Sequence, residues 1–376
     1  MRDYTSIALD EGEGLYVDSE LPALKNSDAI VFDLDGTLID SRMSLDESLL
    51  STVQLLFGAI SGKLMGRREL LDAAFELRKT GGFNNPCDVS YSLLVALCTS
   101  VDESCLLKVT AAIESGLSRV SELLSVRSTP CALEDVDSCL REVVQYGDAR
   151  GTTSILEGID RLYGGKRKKE LMRRFESALK YPGMPPDSIV SSVFDSLFLG
   201  RRRYKEVHGL EPAIDLGPGL FTNEKAIIQP ETASYVKRRF PGGSGLATGR
   251  PRYMTENSMP THISQMLTPG AITYFDHTLE EASKRNRVGE FTCPSKPDPF
   301  SLNLTASHLN PSRGLIYVGD STEDLLMARA MSGYGETVHF VGVYGCSVNP
   351  RIMKGIFMQM GASAVLPSVN KLGWIL

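Results

Sequence analysis

Two aspartates one residue apart, Asp33 and Asp35, end an apolar stretch and are followed at once by Gly36 and Thr37. Carboxylates this close repel each other unless a cation lies between them or one of them holds a proton. Both arrangements support chemistry, since Mg²⁺ prefers oxygen ligands and a protonated carboxyl can act as an acid. The alternative is a turn at a strand end, in which the aspartates only bond the backbone.

Three later stretches also place polar residues directly after apolar or turn-forming ones. A threonine hydroxyl with the backbone N–H groups after it can bind a phosphoryl oxygen, and a lysine ammonium can offset anionic charge. Aspartates four residues apart in the first turn of a helix project the same way. The alternatives are a plain turn, a solvated lysine, and helix capping by Asp320 with Glu323. The residues are Thr248, Gly249 and Arg250 in SGLATGR, Lys296 in CPSKPDPFSL, and Asp320 and Asp324 in LIYVGDSTEDLLMARA.

Short apolar runs supply the elements that would position these residues. The first three end in a polar residue followed by turn-forming ones, and helical periodicity follows the first and the third. This alternation predicts a doubly wound parallel sheet, and ligands bind at the carboxyl ends of the strands in such sheets. The five runs are Ala29–Phe32, Gly245–Ala247, Leu315–Val318, Val338–Val343 and Ala364–Leu366.

The residues between the first strand and Gly245 have a helical pattern instead. Two sets of apolar residues recur at helical spacing, and paired glycines and prolines divide the region into several helices. We therefore predict a core domain of residues 1–40 and 216–376 and a helical domain of residues 41–215, inserted as a lid over the carboxyl edge of the sheet. The two sets are Leu45, Leu49, Val53, Leu56 and Ile60, and Leu106, Val109, Ile113, Leu117 and Val120.

The composition excludes several classes of protein. The 376 residues are 42% hydrophobic and 23% charged, which is typical of a globular chain. A net charge of -6 disfavours nucleic acid or an anionic membrane as the main partner. The first twenty residues have no apolar core, and no run of about 18 apolar residues occurs. We predict a cytoplasmic protein without a nucleic-acid or membrane partner.

Cysteine and histidine spacings restrict the kind of metal site. The seven cysteines form no CxxC pair and are odd in number, so we expect reduced thiols rather than a disulfide framework or a zinc ribbon. The five histidines show no metal-binding spacing. Any metal would therefore have oxygen ligands.

Taken in chain order, the four polar stretches resemble the motifs of the haloacid dehalogenase superfamily, whose first motif is an apolar strand followed by DxDGT. The four fixed residues of that motif arise by chance at roughly 10⁻⁵ per position. The resemblance implies a Rossmann-like α/β core with a large inserted all-helical cap. It covers the core well and the cap weakly, because the cap is longer than is usual in the family.

The resemblance also implies roles for individual residues. Asp33 would be the nucleophile that forms an aspartyl phosphate, and Asp35 the general acid and then the general base. Thr248 and Lys296 would complete the catalytic set. The implied cofactor is Mg²⁺, held by the Asp33 carboxylate, the Asp35 backbone carbonyl and Asp320, with Asp324 binding directly or through water.

The presence of Asp35 favours phosphoryl transfer over dehalogenation, because a halide leaves without a proton. The cap resembles that of phosphoglycolate phosphatase-like enzymes, which act on small phosphorylated metabolites. We therefore predict Mg²⁺-dependent hydrolysis of a small phosphate monoester, such as a sugar phosphate or phosphoglycolate. A phosphomutase of the same fold and a non-catalytic sensor of a phosphorylated metabolite stay open as alternatives, and so does a homo-oligomeric state.

Two regions are predicted to bind the substrate. Gly249 and Arg250 follow Thr248 directly, and an arginine there can pair with substrate charge. In the cap, the loop TGGFNNPCDVSYSLL is rich in hydrogen-bonding groups, and we predict that Gly82, Asn84 and Asn85 contact the substrate. The alternative for this loop is an Asn-Pro turn with Asp88 as the N-cap of the next helix.

Overall fold

The computed structural model describes residues 4–8, 14–18, 21–116, 122–123, 131–164, 167–214, 217–287, 294–333 and 337–376. It divides into two compact units. The core unit comprises Met1–Arg42 and Glu224–Leu376, and the helical unit comprises Met43–Asn223. The predicted helical positions Leu117 and Val120 and the predicted domain start at residue 216 lie outside the described residues.

The core unit contains an eight-stranded sheet with the order β1-β2-β10-β9-β8-β3-β6-β7 and a separate two-stranded β4-β5 pair. Every strand from β10 to β7 in this order is parallel to its neighbour. The strands are β1 Tyr4–Ala8, β2 Gly14–Asp18, β3 Ala29–Phe32, β4 Ile39–Asp40, β5 Lys225–Ala226, β6 Ser244–Ala247, β7 Ile272–Thr273, β8 Leu315–Gly319, β9 Val338–Val343 and β10 Ala364–Leu366.

Helices precede and follow these strands and make up most of the helical unit. In chain order they are α1 Leu21–Asn26, α2 Glu47–Ser61, α3 Arg67–Arg78, α4 Pro86–Cys98, α5 Glu103–Glu114, α6 Val136–Val144, α7 Thr152–Leu162, α8 Arg167–Ala178, α9 Ile189–His208, α10 Pro230–Arg239, α11 Arg252–Ser258, α12 Thr261–Met266, α13 Phe275–Arg287, α14 Phe300–Leu309, α15 Thr322–Ser332 and α16 Pro350–Gln359. A π-helix spans Arg42–Asp46, and 3₁₀-helices span Leu220–Asn223 and Val369–Trp374. Among the described residues, no helix is long and apolar enough to cross a membrane.

The central strand β3 determines where the site lies. Its sequence AIVF is fully buried, as a parallel strand covered on both faces requires. Phe32 pairs with Val318 of β8 on one side and with Leu246 of β6 on the other. Three strands therefore end side by side, and the residues after them meet at one edge of the sheet. The predicted fold class, a doubly wound parallel sheet with a helical insertion, is confirmed.

The N-terminal hairpin is an element that the sequence analysis did not predict. Strands β1 and β2 pair antiparallel, and β2 pairs antiparallel with β10 at the edge of the sheet. The hairpin covers the open edge of β10, which would otherwise present unpaired backbone groups. It lies at the far side of the sheet order from β3 and contributes no residue to the predicted motifs.

The helical unit follows the predicted apolar periodicity. Along α2, the residues Leu49, Val53, Leu56 and Ile60 are buried on one face. The unit also includes the chain after α9, because Phe221 packs on Phe198 with ring centroids 6.2 Å apart and Pro218 bridges to Gly200. These contacts lie in the compact unit that ends at Asn223, and the predicted domain boundary between residues 215 and 216 stays a prediction.

One prediction about the cysteines is wrong. Cys105, in the first turn of α5, forms a disulfide with Cys131, and their Cα atoms are 5.8 Å apart. The two residues are 26 positions apart, and no sequence spacing marks them as a pair. Cys87, Cys98, Cys139 and Cys346 are free thiols, and Cys293 lies outside the described residues.

Candidate active site

A buried lysine joins two aspartates at the carboxyl edge of the sheet. Lys296 Nζ donates hydrogen bonds to Asp33 Oδ1 at 2.5 Å and to Asp324 Oδ1 at 2.7 Å, and its side chain is 3% exposed. Burial lowers the pKa of this ammonium, but the charges of Asp324 and Asp33 more than offset burial and hold the pKa well above its usual value. The lysine therefore carries its charge between two distant stretches of chain.

Asp324 is held by the protein on both of its carboxylate oxygens. Its Oδ1 accepts from the phenol of Tyr317 at 2.6 Å in addition to Lys296, and its Oδ2 accepts from the backbone and the hydroxyl of Ser321. Burial alone would raise the pKa of Asp324, but Lys296 and these donors hold it below the usual range. The helix cap of α15 is formed by Ser321 and Asp324, whereas the sequence alternative assigned it to Asp320 and Glu323.

Asp320 differs from Asp324 because its carboxylate has no hydrogen-bond or ion-pair partner among the described residues. Oxygens of Asp33, Asp320 and Asp324 all lie within 4.8 Å of one another. Burial and the neighbouring charges of Asp33 and Asp324 raise the pKa of Asp320 well above its usual range. Burial, opposed by Lys296, raises the pKa of Asp33 to about 7. Three carboxylates with one lysine leave an excess of negative charge.

This donor set fits a divalent cation. Asp33 and Asp320 offer carboxylate oxygens, the hard ligands that Mg²⁺ prefers, and a cation between them would relieve the repulsion. The backbone also approaches closely here, since Gly36 has a φ of +67° and a Cβ atom on it would lie 1.9 Å from Asp320 Oδ2. The predicted ligand Asp324 already has donors on both oxygens, so of the three carboxylates Asp320 and Asp33 are the better placed to bind the ion.

Thr248 and Gly249 follow β6 at the same edge of the sheet. The Thr248 hydroxyl oxygen accepts from the backbone N–H of Arg250 at 3.1 Å, and the Thr248 N–H donates to the Thr273 carbonyl at 3.0 Å. These bonds fix the turn after the strand. Thr248 is buried and Gly249 is exposed, so the backbone of the turn is open to a ligand.

Asp35 has an unexpected partner. Arg250 Nε lies 3.0 and 2.8 Å from its two oxygens, and Arg250 Nη2 donates to Oδ1. The same guanidinium donates to Glu224 at 3.0 and 2.8 Å and to the hydroxyl of Ser258 at 3.3 Å. All five N–H donors of Arg250 are thus occupied by protein acceptors. In this conformation Arg250 offers none to a substrate, so its predicted role as a substrate ligand finds no support here.

Sequence reasoning missed Tyr317 and Glu224. Tyr317 lies inside the apolar run LIYV, and an aromatic residue in such a run is predicted to be part of the hydrophobic core. The hydrogen bond from its phenol to Asp324 becomes evident only in the folded structure. Glu224 stands in a stretch without a recognisable motif. Its role follows from the fold alone, which brings it to a residue 26 positions later in the chain.

The predicted substrate residues of the cap lie in the helical unit. Asn85 caps α4 by accepting from the Cys87 N–H at 2.9 Å, with Pro86 after it, so an Asn-Pro turn is present with Asn85 rather than Asp88 as the N-cap. Gly82 packs on the turn before α7, where a Cβ atom would lie 2.4 Å from the Asp148 carbonyl oxygen. Asn84 is exposed. Contact of these residues with a substrate stays a prediction.

Comparisons with known proteins are informative about the fold. No protein-family model matches the chain, and no curated protein matches it. A structure from the Northeast Structural Genomics Consortium with no stated activity covers 93% of this chain and 98% of its own, at 16% identity and a TM-score of 0.61. Phosphatase Tt82 from Thermococcus thioreducens covers 87% and 98%, at 19% identity and a TM-score of 0.47. A predicted phosphoglycolate phosphatase from Haemophilus somnus covers 93% and 97%, at 12% identity and a TM-score of 0.40.

Only the first of these likenesses is close enough in backbone to be used, and at its low sequence identity it concerns the fold alone. Its coverage of both chains shows that the whole architecture, sheet and helical insertion together, occurs in another solved protein. Three of the four motifs follow strands of the core unit, and Lys296, in the loop before α14, reaches the residues after two of those strands. The chain therefore has the α/β core with a helical insertion that its resemblance to the haloacid dehalogenase superfamily implies.

Proposed function

We propose that this chain is a Mg²⁺-dependent phosphatase of the haloacid dehalogenase superfamily, which hydrolyses a small phosphate monoester through an aspartyl phosphate on Asp33. The observation that carries the proposal is the buried Lys296 between Asp33 and Asp324, close to the Asp320 carboxylate, which has no partner in the part of the chain that the structure describes. A structural ion pair would balance its charges, whereas this cluster keeps an excess of negative charge next to an open turn.

Asp33 would attack phosphorus with the carboxylate oxygen that does not accept from Lys296. Lys296 holds the other oxygen and would offset the charge that builds up on the phosphoryl group. The Thr248 hydroxyl and the backbone N–H groups of the turn after β6 are suited to the phosphoryl oxygens. These groups are fixed before substrate binds, which is the condition for strong stabilisation of a transition state.

A bound Mg²⁺ would screen the approach of the anionic nucleophile to the anionic phosphate. The side chains that would hold it are Asp33 and Asp320, with the backbone carbonyl of Asp35 as implied by the resemblance. Asp35 would donate a proton to the leaving oxygen and then take one from the water that hydrolyses the aspartyl phosphate. With that second step the nucleophile is regenerated.

The substrate class follows from the resemblance of the insertion to a helical cap. We infer a small phosphorylated metabolite, a sugar phosphate or a phosphoglycolate-like ester, in a cytoplasmic protein without a nucleic-acid or membrane partner. The net charge of -6 disfavours a polyanion such as nucleic acid as the main partner.

The deciding experiment is phosphate release from p-nitrophenyl phosphate and from a panel of metabolite phosphates, with and without Mg²⁺. We expect turnover that is lost on addition of EDTA and restored by Mg²⁺. Undetectable turnover together with ligand-induced stabilisation would favour the sensor. Transfer of phosphate between positions of a hexose phosphate, without release, would favour the mutase.

A further inference from the structure

The ion pair between Asp35 and Arg250 is part of a larger buried arrangement. The side chains of Arg250 and Glu224 are each 3% exposed, whereas that of Asp35 is 28% exposed. Asp35 is therefore the one member of the trio that reaches solvent. Both carboxylates bind the guanidinium through two oxygens each, and such paired contacts fix the orientation of the planar group as well as its position.

Arg250 is the only residue described in the structure whose side chain bonds the Asp35 carboxylate. Its guanidinium is in turn held by Glu224 and by the Ser258 hydroxyl, which itself donates to the Met254 carbonyl at 3.0 Å. The aim of Asp35 is thus set by a chain of contacts that ends on Glu224. Without Glu224, the guanidinium would lose the acceptors of two N–H groups and could rotate.

We propose that Glu224, acting through Arg250, is a positioning residue that aims the Asp35 carboxylate at the oxygen of the leaving group. The inference rests on the proposed function, in which Asp35 transfers protons. Glu224 touches neither the substrate nor the reacting atoms. It begins the second segment of the core unit, so the residue that aims Asp35 is the one at which the chain re-enters the core.

Two aryl phosphate esters differ in how much their leaving groups depend on a proton from Asp35. A p-nitrophenolate ion leaves without needing a proton, whereas phenolate leaves poorly unless an acid protonates it. Misplacing Asp35 should therefore slow hydrolysis of phenyl phosphate much more than that of p-nitrophenyl phosphate. A loss of general folding or of phosphate binding would slow both esters alike.

The test compares kcat/KM of the Mg²⁺-loaded full chain on these two esters, because this ratio reports the steps up to departure of the leaving group and leaves out the hydrolysis of the aspartyl phosphate, which both esters share. For Glu224→Gln we expect kcat/KM on phenyl phosphate to fall by about 10-fold or more, and kcat/KM on p-nitrophenyl phosphate by less than about 3-fold. Glu224→Asp, which keeps the charge, should restore part of the loss. The matched control is Glu231→Gln, at an exposed position of α10, which should change neither rate.

Arg250→Lys provides a second variant, because a lysine keeps the positive charge but cannot grip a carboxylate in its plane. It should show the same ester-selective loss as Glu224→Gln. Thermal unfolding of each variant identifies those that are folded at the assay temperature. An equal loss of kcat/KM on both esters in a folded variant, or no loss of kcat/KM on either, would overturn the inference. Wild-type protein that releases no phosphate from either ester would overturn the proposed function itself.

Discussion

The two units treat their buried charges differently. In the core unit, Asp33, Asp320 and Asp324 gather around one lysine, and one of the three carboxylates has no protein partner in the described chain. In the helical unit, Asp195 and Lys168 each have an ionisable side-chain partner. Asp195 and His208 lie 2.8 Å apart, and the buried Lys168 reaches Glu134 at 2.8 Å.

Whether a buried charge has a partner therefore distinguishes a structural role from a functional one better than burial alone does. Charges that only support a fold need a partner, because an uncompensated buried charge is costly. In the helical unit, Asp195 and Lys168 satisfy that rule, whereas Asp88 has the neutral phenol of Tyr181 as its partner. The core unit breaks it where the strand ends of the sheet meet, and a divalent cation is what would complete the balance there.

The largest effect is expected from removal of the proposed nucleophile, which tests whether the charge cluster of the core unit is functional. Asp33→Asn should reduce phosphatase turnover at least about 10³-fold, because an amide cannot form the aspartyl phosphate. The variant should stay folded, since it removes one of the clustered negative charges. Steady-state kinetics and circular dichroism check the two statements. Turnover above about one per cent of wild type would contradict the nucleophile assignment.

Removing the lysine tests the charge imbalance directly. Lys296→Met should lower the free energy of unfolding by about 2–4 kcal/mol, because Asp33 and Asp324 lose their shared counter-charge. The matched control is Arg174→Met in the helical unit, whose partner Glu114 is exposed, and it should cost much less than Lys296→Met because solvent screens an exposed ion pair. Urea unfolding of the metal-free proteins measures both. Similar losses of unfolding free energy in the two variants would contradict the conclusion that Asp33 and Asp324 depend on Lys296 for their counter-charge.

Addition of Mg²⁺ should increase the difference between the two units. Mg²⁺ at about ten times its dissociation constant should stabilise the wild-type core by about 1.4 kcal/mol, visible as a rise in melting temperature. Asp320→Asn should lose most of this rise, because it removes the carboxylate without a protein partner. The control, Asp298→Asn, alters a carboxylate that is already bound to Arg285. An undiminished Mg²⁺ response in Asp320→Asn would exclude Asp320 as a ligand.

The smallest predicted effect concerns a buried carboxyl of the helical unit. Asp88 accepts from the Tyr181 phenol at 2.5 Å, and burial raises the pKa of Asp88 to about 6. The unfolded chain ionises Asp88 near pH 3.8, so stability should fall as the pH rises from about 4 to about 6 and stay level above that. At pH 7, Asp88→Asn should therefore be more stable than wild type.

The pH dependence itself is the check on this prediction. Asp88→Asn keeps an acceptor for Tyr181, so its advantage should shrink as the pH falls below about 6, where wild-type Asp88 takes up its proton in the folded state. Unfolding free energies measured between pH 4 and pH 8 decide it. An advantage that grows on acidification would show that Asp88 is stabilised as the anion.

The strand-end motifs could be predicted because they are local. The pattern that buries Ala29–Phe32 also ends the strand at Asp33, and a parallel sheet brings such ends together whatever the loops do. The same holds for Thr248 after β6 and Asp320 after β8. At these three positions, a few adjacent residues determine both the strand and the point at which it ends.

The contacts that cross the fold could not be predicted. From the sequence, Arg250 is predicted to bind a substrate. In the structure its guanidinium is bonded to Glu224 and Asp35, which lie 26 and 215 positions away in the chain. The same is true of Asp88 and Tyr181, which are 93 positions apart. Pairing at such separation depends on the packing of whole helices and strands, which single-sequence periodicity does not specify.

The close approach of Gly36 to Asp320 has a consequence for how this sequence can vary. Any residue with a side chain at position 36 would collide with the carboxylate of position 320, and its backbone angle there disfavours such residues as well. Two positions almost three hundred residues apart are therefore constrained jointly. A mutational path that replaces the glycine first must pass through a crowded intermediate, whereas one that shortens residue 320 first gives up the metal ligand before any alternative can arise.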